Sequence, residues 1–204
     1  MSNELSFNSP RGRAALAATV AASGMASLDA TVVNVALPHI GDDLGAGLGS
    51  LQWVLTGYLL SLGSLILLGG ALGDRFGRRR VFLVGTGWFA VASLLCGAAP
   101  TIETLIAARV LQGVGAAILT RGSLAILQAS FREDDRAKAV GAWSGLGGVA
   151  GAIGPFVGGW LVDGPGWRWA FLANLPVAAI VVICARVSIP ESRDPHTGRA
   201  LDIA

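Results

Sequence analysis

The stretch GALGDRFGRRRVFL, residues 70–83, sets Asp74 and four arginines between two long runs of almost pure hydrocarbon. Each run, 51–73 before it and 80–99 after it, has the roughly 20 residues that a helix needs to cross the hydrocarbon core of a membrane. The charged stretch therefore reads as a short loop joining two spanning helices. Four further windows carry the same signature, at 14–37, 104–127, 138–162 and 168–189. With 53% hydrophobic and only 14% charged residues, the 204-residue chain has too little polar surface to cover a soluble globule. Barrel strands would instead show short alternating segments. The fold class is thus an all-α membrane protein with six transmembrane helices, preceded by a tail at 1–13 and followed by one at 190–204.

Lysine and arginine in short loops mark the cytoplasmic side. With the N-terminus inside, Arg11, Arg13, Arg75, Arg78, Arg79, Arg80, Arg132, Arg136, Lys138, Arg186, Arg193 and Arg199 all lie on that side, and Arg168 alone lies outside. The outer loops carry Asp42, Asp43, Glu103 and Asp163. Both ends of the segment are therefore expected in the cytoplasm, in a multi-pass protein of the cell membrane. Arg11 and Arg13 precede an apolar run longer than a signal-peptide core, so the first window is expected to stay as a helix. Cys96 and Cys184 read as small buried apolar residues. His39 and His196 lie in or beside loops, and no metal-ligand spacing surrounds either pair, so no metal or cofactor is expected.

Sliding the sequence along itself by 89 positions sets GGALGDRFGRRRVFL (69–83) over GGWLVDGPGWRWAFL (158–172), with both leading glycines, Leu, Asp, Gly, Arg, Phe and Leu in common. One copy joins spans two and three inside, and the other joins spans five and six outside. A three-helix unit repeated in inverted orientation produces this pattern, which is typical of secondary transporters. The shared residues, Asp74 with Asp163 and Arg79 with Arg168, are expected to serve local geometry. In that reading the acid satisfies free N–H groups at a helix start, and Gly77 and Gly166 permit a tight turn. Arg75, Arg78 and Arg80, present only inside, carry the orientation signal.

Asp29 lies in span one with no charged neighbour in sequence, and an ionisable group within a membrane marks a functional site by default. Counting helical rise, it sits about 10–12 Å from the outer end of its span, and Arg109 in span four about 8 Å deep. The two are therefore expected to face each other, with the arginine holding Asp29 ionised until a proton or cationic substrate competes for it. Span five repeats small residues at intervals of four, as Gly141 and Gly145, Gly147 and Gly151, Gly154 and Gly158, a spacing that lets helices approach closely. Pro155 removes a backbone hydrogen bond there and permits a bend. Arg121 is expected to snorkel to the inner surface. The run EDD (133–135) reads as a solvated loop serving the positive start of span five. GLGGVA (145–150) matches a dinucleotide fingerprint but lies within a span, without the preceding strand such a site needs. No enzyme chemistry and no nucleic-acid binding is indicated.

Five stretches, in this order, resemble the major facilitator superfamily, and particularly its drug:proton antiporters with fourteen helices, the multidrug resistance exporter type. They are LDATVVNVALP (28–38), GALGDRFGRRR (70–80), RVLQGVGAA (109–117), AIGPFVGG (152–159) and WRWAFLANLP (167–176). Ala150 stands where the antiporter motif usually has glycine, and Arg121 where the family usually has proline. The resemblance implies one six-helix, N-terminal half of a secondary active transporter that exports drug-like or small organic compounds in exchange for protons by alternating access. It implies a proton-coupling and substrate-cavity set of Asp29, Asn34, Arg109, Gln112 and Gly113. It also implies a conformational gating loop of Gly70, Asp74, Arg75, Gly77, Arg78 and Arg79, and an antiporter helix marked by Gly154, Pro155, Gly158 and Gly159. The partners implied are membrane lipids, a proton, a hydrophobic or cationic small molecule and the C-terminal half of the same transporter. A transport-inactive truncated half and an uptake symporter are the alternatives.

Overall fold

The computed structural model of the chain describes residues 4–192, and the expectations for Arg193, His196, Arg199 and the rest of the tail at 193–204 lie outside the described residues. The elements are α1 (Pro10–Leu44), α2 (Leu48–Phe76), α3 (Arg78–Gly97), α4 (Ile102–Ser130), α5 (Glu133–Asp163), a short α6 (Trp169–Leu172) and α7 (Asn174–Ser188). Among the described residues, six segments, with α6 and α7 counted together as Trp169–Ser188, are long and apolar enough to cross a membrane.

The helices overrun the apolar windows because helix continues into polar sequence until a residue stops it. The side chain of Ser9 caps α1, accepting from the Gly12 N–H at 3.0 Å, and Pro10 follows in the first turn, where its missing N–H costs nothing. The helix ends at Gly45 in the left-handed conformation, φ 61°. Thr101 and Thr104 form a reciprocal capping box at the start of α4. The break at Ala173 follows from Pro176, which cannot donate to the carbonyl four residues back. The EDD run is the first turn of α5 rather than a loop, and Asp135 accepts from the Phe7 N–H at 2.9 Å. His39 lies within α1, not in a loop, because α1 runs past Pro38 to Leu44.

Packing repeats in the two three-helix units. α2 packs most extensively on α4, and α5 on α1, so in each case the second helix of one three-helix unit packs on the first helix of the other. Glycines allow both approaches. A Cβ at Gly113 would overlap Ser61 Oγ and the Tyr58 carbonyl of α2, and one at Gly69 would sit 3.0 Å from the Ala117 carbonyl of α4. On the equivalent seam, a Cβ at Gly154 would overlap Thr31 Oγ1, and one at Gly158 would sit 3.2 Å from the Val32 backbone. Ala150 meets Gly24, so the extra methyl on α5 is matched by a missing one on α1. The other small-residue pairs of α5 differ from expectation: Gly141, Gly145 and Gly147 face open space, and Gly151 only grazes Ser27. The four-residue spacing marks a stripe, and only its outer half meets a helix within the described residues.

Gly113→Val is expected to lower the stability of the purified chain by about 1–3 kcal/mol, the usual cost of overpacking. Gly145→Ala, whose methyl meets nothing, should leave the melting temperature nearly unchanged. Equal melting temperatures for the two variants would contradict the close α2–α4 approach.

The repeated turn shows which of its residues carry the geometry. Gly77 and Gly166 both take positive φ, 106° and 103°, where a Cβ would strain the backbone. Arg79 donates from Nη1 to the Ile189 carbonyl at 3.1 Å, and its twin Arg168 donates from Nη2 to the Ala99 carbonyl at 3.4 Å. Each arginine thus closes the end of the third segment in the opposite unit. The start of α3 draws on an acid from the far end of the described chain as well. Asp74, on the last turn of α2, accepts from Arg78 at 2.7 Å, and Asp163 closes α5 at the surface. Glu191, beyond α7, serves the start of α3, accepting from the Arg79 N–H at 3.2 Å.

Candidate functional site

Five of the six spanning segments send polar groups to one point in the bundle interior. Asp29 of α1 and Arg109 of α4 are both buried, and Arg109 Nη1 donates to Asp29 Oδ2 at 2.5 Å. Asp29 Oδ1 accepts from Gln112 Nε2 at 2.9 Å and from Asn174 Nδ2 at 3.0 Å. Both amides also reach Ser93 Oγ of α3, at 2.8 Å from Gln112 and 3.3 Å from Asn174. Arg109 further donates from Nη1 to Gln112 Oε1 at 2.6 Å and from Nε to the Val54 carbonyl of α2 at 3.1 Å. Its guanidinium lies over the Tyr58 ring at 4.1 Å and within 5.7 Å of Phe171. Tyr58 in turn donates to the Ala26 carbonyl at 3.2 Å.

Local sequence explains the convergence. Arg109 and Gln112 are three apart and so share one face of α4. Gly113 and Gly115, next to that face, bring α2 and α3 close enough to touch it. Asn174 is the first residue of α7, placed by the Pro176 break. A charge left alone in hydrocarbon is expensive, and each is matched here: the carboxylate by three donors, the cation by a carboxylate, two carbonyl oxygens and two ring faces. α5 contributes no group to the cluster, but Gly154 presses on the α1 turn that carries Asp29.

Asn34 does not join. It is exposed, and its amide donates to the Ala30 carbonyl at 2.9 Å. Gly113 contributes close packing rather than a polar group. The gating-loop residues Gly70, Asp74, Arg75, Gly77, Arg78 and Arg79 gather at the far end of α2: Arg75 is exposed over the Phe76 ring, and Gly70 lies beside the exposed Arg121. Gly154 and Gly158 face α1, while Pro155 is exposed and Gly159 meets no neighbour within 4 Å.

Sequence reading missed Tyr58, Ser93, Cys96 and Asn174. Cys96 is more than an apolar filler, since its thiol reaches Gln112 Oε1 at 3.5 Å. Ser93 and Asn174 did carry a signal, being polar residues inside otherwise apolar windows. Nothing in their spacing points to Asp29, because Asn174 reaches it across 145 positions of chain and Ser93 joins the cluster through Asn174, 81 positions away, and Gln112.

Two cavities flank the cluster. One, of about 320 Å³, is lined by Ser27, Tyr58, Thr120, Trp143 and Ser144 among others, on the face shared by α1, α2, α4 and α5. The other, of about 330 Å³, lies between α1, α5 and the α6–α7 segment and has Asp29 and Asn174 in its wall.

The Major Facilitator Superfamily model matches residues 19–201. The puromycin resistance protein pur8 of Streptomyces alboniger is 46% identical over 193 residues, which cover 94% of this chain and 38% of that protein. The methylenomycin A resistance protein of Bacillus subtilis is 44% identical over 79% of this chain and 35% of its own length. The drug efflux pump JefA of Mycobacterium tuberculosis is 40% identical over 92% and 37%. The chain therefore spans little more than a third of the length of these relatives. Two solved structures share the fold: a bacterial homologue of the human lysosomal transporter Spinster, TM-score 0.70 at 21% identity over 91% of this chain and 45% of that one, and the peptide transporter POT, TM-score 0.76 at 15% identity over 89% and 38%.

Proposed function

Because the chain belongs to the major facilitator superfamily, we propose that it is one six-helix half of a secondary active transporter in the cell membrane, exporting drug-like or small organic compounds in exchange for protons by alternating access. The observation that carries this reading is the buried Asp29–Arg109 pair, an ionisable carboxylate inside membrane-length helices that accepts from Arg109, Gln112 and Asn174, while Arg109 Nη2 is buried without a hydrogen-bond partner among the described residues. Protonating Asp29 would remove one charge from that set and change which arrangement of helices is favoured, which is what coupling requires. Relatives named for resistance to puromycin and methylenomycin support an antibiotic-like substrate. The cavity beside Tyr58, apolar with a few hydroxyls, suits such a molecule.

A second six-helix half would cover the faces that α2 and α5 leave open, where Leu59, Leu60, Leu67, Leu146, Ile153, Phe156 and Trp160 are exposed. In this reading both ends of the segment face the cytoplasm, with Arg75 and Arg80 holding the α2–α3 turn there. Gly154 and Gly158 let α5 slide against α1, and the turn around Asp74 and Arg79 latches one conformation.

The test is dye efflux from cells that produce the transporter, with the proton gradient intact and then collapsed by an uncoupler. Efflux should stop on collapse; efflux that continues unchanged would sink the antiport reading. Gradient-driven efflux by the 204-residue chain alone would remove the need for a second half. A cysteine placed at Gly166 should label from outside and one at Arg75 should not, and the reverse would invert the orientation.

A further inference from the structure

We infer that Asn174 senses the charge of Asp29 by reversing the direction of its hydrogen bond, and that this reversal carries the protonation signal from α1 to α7 and α3. The inference rests on the reading that Asp29 is protonated during the cycle.

An ionised carboxylate only accepts hydrogen bonds, whereas a protonated one must also donate. In the structure Asp29 Oδ1 faces two amide N–H groups, from Gln112 at 2.9 Å and from Asn174 at 3.0 Å. A proton added on that side meets a donor, not an acceptor, so a carboxamide has to turn over. Gln112 is held against turning, since its Oε1 accepts from Arg109 Nη1 at 2.6 Å and from the Cys96 thiol at 3.5 Å. Turning it would forfeit a charge-assisted bond, the strong kind. Asn174 Oδ1 accepts no hydrogen bond from the described residues, and Asn174 lines the cavity between α1, α5 and the α6–α7 segment, which leaves room beside it. The terminal torsion of an asparagine is broad and roughly two-fold, so half a turn exchanges its oxygen and nitrogen at little strain.

After that turn Asn174 Oδ1 accepts from protonated Asp29. The same oxygen then faces Ser93 Oγ, at present the acceptor of the Asn174 amide at 3.3 Å, so the Ser93 hydroxyl swings round to donate. One proton on α1 thereby reverses two hydrogen bonds, one ending on α7 and one on α3. Asn174 opens α7 directly after the break at Ala173, so a change at its side chain acts at the start of that helix. The titratable side chains that face Asp29 are Arg109 of α4, Tyr58 of α2 and Cys96 of α3. The residues that α5 and α7 present there, Ala150, Val157, Leu161 and Val177, carry no ionisable group.

The chain has asparagines at Asn3, Asn8, Asn34 and Asn174 only. Replacing the first three by serine leaves one isotope-labelled side-chain carboxamide, and no substitution enters the cluster. Difference infrared spectra of this chain in lipid, taken while lowering the pH, should show a protonated carboxyl band that Asp29→Asn removes. In step with it, the labelled carboxamide band should move to lower wavenumber as its oxygen accepts a hydrogen bond. A carboxyl band that titrates while the carboxamide band stays fixed would overturn the role of Asn174 and leave the coupling reading standing. Absence of any Asp29-dependent carboxyl band would overturn both.

Discussion

Replacing Arg109 by alanine is expected to destabilise the purified chain by about 3–5 kcal/mol, the cost of leaving one member of a buried ion pair without its partner. The substitution leaves Asp29 at the centre of the bundle with amide donors alone, and it empties the space between the Tyr58 and Phe171 rings. Asp29→Asn should cost less. Arg109 then still has the Val54 carbonyl, Gln112 Oε1 and the face of Tyr58 at 4.1 Å, so its charge stays partly compensated. Thermal unfolding in detergent checks the order, and the double variant Asp29→Asn with Arg109→Gln should recover part of the loss through non-additivity of neighbouring sites. An Arg109→Ala chain that melts with the parent would mean that the pair is not closed in solution.

How far the sequence could be read follows from the range of each interaction. The six spanning segments were legible because bilayer thickness converts directly into run length, and the inverted repeat because its two loops kept an alignable pattern. The partnership of Arg79 and Arg168 was half legible: their shared position predicts shared geometry, but only the fold shows that each reaches the end of the opposite unit's third segment. The part of Glu191 at the start of α3 was not legible, because it lies 112 positions from the Arg79 N–H that it accepts from. The glycines of α5 were misleading. Spacing says that a stripe of small residues exists, while the position of α1 decides which part of it is used.

The site was legible where burial alone identifies a residue and opaque where partnership does. Asp29 and Arg109 are charges in hydrocarbon, and helical rise placed them at similar depth. Ser93, Cys96 and Asn174 are ordinary spanning residues until the fold brings them around Gln112, and Asn34 looked equally plausible but points elsewhere.

Asp29→Asn should therefore separate folding from coupling. The variant has nearly the shape of the protonated side chain, and its amide can donate where a protonated carboxyl would, so the chain should insert and fold. It cannot release a proton, so the equilibrium between helix arrangements would no longer answer to the gradient. Efflux of a lipophilic dye, driven by an imposed pH gradient in cells producing the transporter with this substitution, should fall to the level of cells without it. Dye binding to the purified protein should persist and lose its dependence on pH. The pairing of these two measurements matters because a merely structural ion pair predicts the other outcome. If Asp29 and Arg109 only fasten α1 to α4, removing the charge weakens folding and binding together, and whatever protein survives keeps a gradient response. Gradient-driven efflux at the parental rate by well-folded Asp29→Asn protein would place the coupling group elsewhere in the transporter.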